Sequence, residues 1–254
     1  MYRAGLVALG LLTSIRGVPG DSYSTIKFAT DGKQPSATNP LGNPPYPGKT
    51  SSNGPNWVNL LTVKYNNSQV LSYDFAVGGS TVHTDIVDNG YDLVTQVYTD
   101  FIPNYSNNNR IWESETSLFT LWFGINDVFY SYEAGNSSDI QSAIISRYSS
   151  VVGKLYAEGA RNFLLVNVPP IERAPRITGS SAAATRVPLA RNATLSFNKH
   201  IEWLANRIRT RHTDTKVFLF DSHTLFNNVI DNPQQFEQTE GFKTTTKYCT
   251  AYQK

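Results

Sequence analysis

Short apolar runs that end at turn-forming residues limit the possible folds of this chain more than any other feature. Three such runs are residues 117–123, 162–168 and 216–220. Residues 70–77 form a fourth apolar run, which ends at Gly78. Continuous apolar runs of this length are typical of strands that are buried on both faces. The chain therefore predicts a sheet with four buried strands.

Amphipathic patterns between these runs predict helices. Leu93, Val97 and Phe101 recur on one helical face, a long helix is predicted from residue 140 to 155, and another includes residues 197–208. Residues 171–187 are predicted to form a polar connection. Strands that alternate with helices indicate an α/β fold with a central parallel sheet covered on both faces.

Length and composition favour one large domain without a nucleic-acid partner. The chain has 254 residues, of which 40% are hydrophobic and 17% charged, which is enough for a sizeable core. The formal net charge is only +2 and the basic residues are scattered, so nothing indicates attraction to nucleic acid. Residues 29–56 are rich in Pro, Gly, Asn and Ser, and we interpret them as a long ordered loop rather than a linker.

The N-terminus has the pattern of an export signal. A basic start is followed by the apolar residues 4–12, too few to span a membrane. We expect residues 1–17 to be a signal peptide or, alternatively, a displaced first strand. The lone Cys249 is interpreted as half of a lost disulfide. Secretion also fits the N-x-[S/T] glycosylation acceptors, which lie at Asn66, Asn104, Asn136 and Asn192.

Three stretches at predicted strand ends carry groups suited to acyl transfer. They contain a serine in Gly20-Asp21-Ser22, a glycine pair at Gly78-Gly79 and an amide in Gly124-Ile125-Asn126-Asp127. A hydroxyl nucleophile, a free backbone N–H and an asparagine amide are the parts needed to attack an ester and stabilise the oxyanion. Parallel sheets place such groups together at the carboxyl ends of their strands.

These motifs, in this order, resemble the SGNH hydrolases, also called the GDSL family. Further stretches resemble its fungal acetylesterase branch, carbohydrate esterase family 16. They are Asn39-Pro40-Leu41-Gly42-Asn43-Pro44, Asn56-Trp57-Val58, Asn167-Val168-Pro169-Pro170 and Phe220-Asp221-Ser222-His223.

The resemblance implies a flavodoxin-like three-layer α/β/α sandwich with residues 18–254 as a single domain. It implies that Ser22 is the nucleophile. The oxyanion hole would consist of the Ser22 N–H, an N–H of Gly78 or Gly79, and the Asn126 side chain. Asp127 is expected to position Asn126 or the turn. No metal-ligand spacing or phosphate-binding loop is present, so we expect neither metal nor cofactor.

The sequence departs from the family at the catalytic base. The family's last motif, Asp-x-x-His, is absent, and the domain is expected to be incomplete at its C-terminus. His223 and His83 remain as candidate bases, whereas His200 and His212 are interpreted as solvated surface residues. The four tryptophans, among them Trp203, are interpreted as core residues rather than sugar platforms.

The sequence therefore predicts a secreted, monomeric serine esterase. Its substrate would be a small acyl ester, most simply an acetyl group on an oligosaccharide, hydrolysed through a Ser22 ester intermediate. Two alternatives stay open. One is an inactive or truncated relative without a base, and the other is a lipid-ester hydrolase on the same fold.

Overall fold

A parallel sheet of four strands forms the centre of the molecule. The computed structural model describes residues 14–15 and 17–248; the predicted signal segment lies mostly, and Cys249 wholly, outside these residues. Within them the strand order is β1-β2-β3-β4, and all neighbours are parallel. The strands are β1 (Ser14–Ile15), β2 (Ser117–Trp122), β3 (Asn162–Val166) and β4 (Lys216–Phe220).

The first strand belongs to the segment that was expected to be a signal peptide or a displaced strand. Ser14 and Ile15 pair with Ser117 and Leu118 of β2, and Gly20 pairs with Trp122. Residues 14–15 and the described residues just before the serine motif therefore lie beside β2.

The prediction of a regular strand at residues 70–77 was wrong. Among the described residues, the segment lies beside residues 18–20 through backbone hydrogen bonds from Val18 N to Tyr73 O and from Val77 N to Gly20 O. The Asp74 side chain accepts the N–H groups of Ile26 and Ala76. The segment still occupies the place beside β1, which gives the flavodoxin-like order 2-1-3-4-5.

Helices connect the strands. The predicted short helix near Trp57 and the helix through Leu93 both contain π-helical turns. The α-helices are α1 (Trp57–Asn59), α2 (Leu93–Thr95), α3 (Ile102–Tyr105), α4 (Ile125–Ser131), α5 (Ser137–Ala157), α6 (Pro175–Thr178), α7 (Ala183–Arg211) and α8 (Ser222–Asp231). The π-helical segments are Leu60–Lys64, which extends α1, and Gln96–Phe101, which joins α2 to α3.

The connection at residues 171–187 is more structured than expected. It contains a 3₁₀ turn at Ile171–Arg173 and helix α6, and α7 already begins at Ala183. This stretch includes several Ala and Arg residues, which a helix accommodates at little cost. Polarity here reflects an exposed start of the helix rather than irregular backbone.

Side chains alternate between two cores on opposite faces of the sheet. Phe119, Phe163 and Leu165 point into the larger core with α2, α3, α5 and α7. Leu118 points to the other face, where it meets Val18, Ile26, Leu41 and Val58 from the ordered loop and α1. Because period-two alternation assigns successive residues to opposite faces, the sheet is covered on both. The result is the predicted α/β sandwich.

Candidate active site

Ser22 lies in a tight turn at the carboxyl end of the β1 segment. The turn is closed by hydrogen bonds from Ser24 N and Thr25 N to Asp21 O at 3.1 and 3.0 Å. Ser22 is half-buried, and among the described residues its Oγ has no hydrogen-bond partner. The hydroxyl is thus presented at the surface of the turn with its lone pairs free.

The buried side chain of Asp21 stabilises this turn. Its carboxylate is buried and accepts Tyr23 N at 2.9 Å through Oδ1, while Oδ2 lies 3.5 Å from Asn126 Nδ2. Burial raises the pKa of Asp21 to about 7, and the nearby Asp127 carboxylate adds to the rise. One carboxylate therefore contacts both the serine turn and the asparagine amide.

The glycine pair forms a second turn beside Ser22. Ser80 N donates to Val77 O at 3.1 Å, and Gly79 has a φ of +87°, which favours glycine. A Cβ on Gly78 would lie 3.8 Å from the Cβ of Ser22, whereas one on Gly79 would lie 2.9 Å from Asn89 Nδ2. Gly78 is thus the glycine on the Ser22 side, a choice that the sequence left open.

Asn126 begins helix α4 and reaches toward the same turns. Its Nδ2 donates to Ser80 O at 2.9 Å and makes the long contact to Asp21. The first hydrogen is therefore committed to the protein, and the second is only weakly held. A developing oxyanion would compete for that second hydrogen.

Asp127, which the sequence predicts to be a positioning residue, is buried in the first turn of α4. Its Oδ1 accepts Val82 N at 2.9 Å, and its Oδ2 has no partner among the described residues. Burial raises the pKa of Asp127 to about 7. The side chain ties the start of α4 to the chain that follows the glycine turn, so it does not face Ser22 as a reacting group.

Gln96 is a site residue that the sequence analysis missed. It lies fully buried in the π-helical segment, where its Oε1 accepts Gly20 N and its Nε2 donates to Gly20 O and Ser80 Oγ, each at 2.9 Å. It therefore links the serine turn to the glycine turn. A polar residue on the apolar face that includes Leu93 and Val97 was the available signal.

Neither candidate base contacts Ser22. His83 Nε2 lies 3.7 Å from Asp85, and its Nδ1 is buried without a partner among the described residues. His223 is the second residue of α8, the helix whose Phe226 ring lies 6.1 Å from the Tyr23 ring. Its Nδ1 lies 3.3 Å from Asn227 Nδ2. The structure thus does not assemble a Ser–His pair from either residue.

The remaining histidines are not simply solvated, contrary to expectation. The Nδ1 atom of His200 is buried, and His212 stacks on Tyr156 with ring centroids 3.8 Å apart. A side chain that packs against a neighbouring element is partly shielded from water even where its own helix borders solvent. Both lie on or directly after α7, whose residues pack on the sheet away from Ser22.

An aromatic wall borders Ser22. Tyr23 is 37% exposed and lies 5.2 Å from Trp122 and 6.1 Å from Phe226 between ring centroids. Trp57 lies 6.1 Å from Trp122 and donates Nε1–H to Ser24 Oγ at 3.3 Å. The wall presents an apolar surface immediately beside the nucleophile, suited to the acyl group or the ring of an ester substrate.

Other properties of the described residues concern metals and membranes. No group of three or more His, Cys, Asp or Glu side chains in residues 14–15 and 17–248 has the arrangement of a metal site. Within the same residues, no helix combines the length and apolarity needed to cross a bilayer.

Comparison with known proteins gives consistent results. The model of the GDSL-like lipase/acylhydrolase family matches residues 19–254. An acetylesterase from Thermothelomyces thermophilus is 34% identical over 226 residues, which cover 85% of this chain and 73% of that protein. An acetylesterase from Hypocrea jecorina is 23% identical, covering 76% of this chain and 64% of that protein.

The fold has counterparts among solved structures. An acetylxylan esterase from Geobacillus stearothermophilus superposes with a TM-score of 0.50 at 15% identity, covering 88% of this chain and 82% of that chain. At this identity the similarity concerns the fold alone. It agrees with the parallel sheet and the helices described above.

Proposed function

Because the chain belongs to the GDSL-like lipase/acylhydrolase family, we propose that it hydrolyses small acyl esters, acetyl esters first, through an ester intermediate on Ser22. The observation that carries this proposal is that the serine turn, the Gly78 turn and the start of α4 meet at one edge of the sheet. Asp21, Gln96 and Asn126 hold the serine turn and the Gly78 turn against each other. Relatives that are acetylesterases support acetyl as the acyl group.

In the proposed mechanism, Ser22 Oγ attacks the carbonyl carbon of the ester and loses its proton to a base. The negative charge on the carbonyl oxygen is stabilised by the N–H groups of Ser22 and Gly78 and by Asn126 Nδ2, with each such donor contributing about 3 kcal/mol. Collapse of the tetrahedral intermediate breaks the bond to the alcohol, which leaves with a proton. Water then attacks the acyl-serine and releases the acid and the free Ser22 hydroxyl.

Acetylated oligosaccharides are the substrates that we propose for this site. The aromatic wall of Tyr23 and Trp57 offers a surface on which a sugar ring can stack beside the reacting ester. A short acyl group also fits a serine that lies directly against a glycine turn and leaves little depth. A lipid-ester hydrolase would instead accept long acyl chains.

Hydrolysis of nitrophenyl acetate by the purified chain tests the proposal. We expect turnover that Ser22→Ala reduces at least about a thousandfold, as loss of a catalytic nucleophile does in other serine hydrolases. Ser138→Ala, at an exposed serine of α5, is the matched control and should keep full activity. Thermal unfolding of each variant checks that it remains folded. Nitrophenyl esters of increasing chain length separate the acetylesterase from a lipid-ester hydrolase.

A second candidate function is a binding protein of the same fold without chemistry. The observation that favours it is that none of the four histidines contacts Ser22 in the described residues. A cooperatively folded protein that binds acetylated xylo-oligosaccharides but does not hydrolyse them would establish this alternative. Turnover that depends on Ser22 would reject it and would make His223 and His83 the next variants.

We also propose that the protein is exported as a glycosylated monomer of fungal type. The apolar residues 4–12 and the exposed acceptors Asn104, Asn136 and Asn192 support this. Signal cleavage would have to occur before Ser14 if β1 is to remain. Mass spectrometry of protein secreted from a fungal host gives the N-terminus and the glycans, and size-exclusion chromatography gives the oligomeric state. An uncleaved intracellular product would contradict the proposal.

A further inference from the structure

A groove separates helices α5 and α7 on the helical face of the sheet. It encloses about 850 Å³, which lies in the range of small-molecule sites. Its walls come from Ser142 to Gly153 of α5 and from His200 to His212 at the end of α7. Nothing in the proposed ester hydrolysis uses it.

The groove lies away from Ser22. Helices α5 and α7 run back from the carboxyl ends of β2 and β3 to the amino ends of the strands that follow, because parallel strands require such crossovers. The groove residues span the middle of α5 and the last part of α7, so the α7 wall lies toward the sheet edge where β4 begins. Ser22 lies at the opposite edge.

Trp203 and two arginines define the chemistry of the groove. Trp203, interpreted from the sequence as a core residue, is 48% exposed, and the Arg207 guanidinium lies 5.1 Å from its ring centroid. Arg211 lies one turn further along α7. Neither arginine forms an ion pair with a carboxylate of the described residues, and no Asp or Glu lines the groove within that part of the chain. An aromatic plane beside uncompensated guanidinium groups favours an anionic ring-shaped ligand.

Neutral hydrogen-bonding groups complete the walls. His200 Nδ1 is buried and has no partner among the described residues. Ser146 is exposed and Ser149 half-buried, and both line the groove, so their hydroxyls are open to solvent or to a ligand. Buried polar atoms are normally hydrogen-bonded, so an orphaned one at a groove wall indicates a partner from a ligand or from water. Several neutral hydrogen-bonding side chains in one groove suit a ligand that carries several hydroxyl groups.

We propose that this groove binds a carboxylate-bearing sugar of an acidic oligosaccharide, with the ring beside Trp203 and the carboxylate on Arg207 and Arg211. Guanidinium groups pair with carboxylates through two parallel hydrogen bonds, which fixes the orientation of the sugar. Ser146, Ser149 and His200 meet its hydroxyls. The site goes beyond the proposed function, because it binds without reacting and lies far from the nucleophile.

Isothermal titration with a glucuronic-acid-substituted xylo-oligosaccharide that carries no acetyl groups tests the proposal. The wild-type protein should bind it at least tenfold more tightly than the neutral xylo-oligosaccharide of the same length. Trp203→Ala and the pair Arg207→Gln with Arg211→Gln should each weaken binding at least tenfold. The controls Tyr130→Ala and Arg191→Gln alter an exposed aromatic residue and an exposed arginine outside the groove, and should bind normally.

Several results would overturn the proposal. They are no binding of the acidic oligosaccharide, equal binding of the neutral one, or binding that Trp203→Ala leaves unchanged. Inorganic phosphate that binds as tightly as the oligosaccharide would reduce the groove to a simple anion patch and also reject the proposal. Because the ligand has no ester and the readout is binding, these results do not depend on whether Ser22 is catalytic.

Discussion

At the scale of single residues, Asn126 has two tasks that compete for one amide group. Its Nδ2 binds Ser80 O at 2.9 Å and approaches Asp21 at 3.5 Å. The first contact fixes the side chain, and the second leaves a hydrogen that an oxyanion can attract. The residue that holds the two turns together is thus also the one expected to stabilise the intermediate.

We predict that Asn126→Ala lowers kcat for nitrophenyl acetate by about a hundredfold to a thousandfold and changes KM little, because the lost donor acts mainly in the transition state. Steady-state kinetics measure both constants. The control is Asn109→Ala, which removes an exposed amide that donates to Pro103 O. An equal loss of kcat and thermal stability in both variants would contradict the oxyanion role of Asn126.

At the scale of elements, strands were more predictable than the contacts between them. The apolar runs that end near Gly124, Pro169 and Asp221 correctly predicted β2, β3 and β4, because strands buried on both faces must be apolar throughout. Residues 70–77 are equally apolar but do not form a strand. There Asp74 binds backbone N–H groups, a choice that depends on the neighbouring turn.

The site was predictable to the same extent. Motif order indicated Ser22, the Gly78-Gly79 pair and Asn126 as neighbours, because each follows an apolar run and such ends meet at one edge of a parallel sheet. Gln96 was not predictable from its helix alone, since its three hydrogen bonds reach Gly20 and Ser80. Its role exists only after the helix packs against two separate turns.

Gln96→Leu tests this link between the helix and the site. It leaves the Gly20 N–H and the Ser80 hydroxyl without their buried partner and the Gly20 C=O with Val77 N alone, and we predict a loss of about 3 kcal/mol of unfolding free energy. Esterase activity should fall with it, because the two turns lose their connection. Urea unfolding and nitrophenyl acetate turnover measure the two effects.

Gln141→Leu is the matched control for that experiment. Gln141 is also a buried helical glutamine, but it donates only to Ala193 O in a contact between α5 and α7. The variant should be less destabilised and should retain activity. If both variants lose the same stability and Gln96→Leu keeps full turnover, Gln96 is merely structural.

At the scale of the whole molecule, buried carboxyl groups determine how stability depends on pH. Burial raises the pKa of Asp21 and of Asp127 from 3.8 to about 7, and raises that of Asp74 well above its usual value. The folded protein therefore holds more protons than the unfolded chain between about pH 4 and pH 7. Burial also acts on Asp92 and Asp221, but hydrogen bonds outweigh it and lower the pKa of both carboxyl groups. These two groups stabilise the folded protein less as the pH falls further into the acid range.

We predict that the free energy of unfolding falls as pH rises from about 4 to about 7 and is lower at pH 8 than at pH 5 by a few kcal/mol, since one pKa unit corresponds to about 1.4 kcal/mol. Thermal unfolding at several pH values measures the trend. Asp127→Asn should flatten it, whereas Asp85→Asn, at a carboxylate with 85% side-chain exposure, should not. A melting temperature that rises from pH 5 to pH 8 would contradict the assignment.

The irregular backbone of residues 70–77 has a consequence for the timing of any reaction at Ser22. Whereas β2 and β3 pair along five residues, this segment has no regular strand in the described part of the chain. Its amide hydrogens should therefore exchange with deuterium before those of the central strands. Gly78 follows this segment, so each local opening would withdraw the proposed oxyanion donor while the sheet stays folded. In the proposed mechanism, the oxyanion hole would then be complete only during the intervals in which this segment is closed.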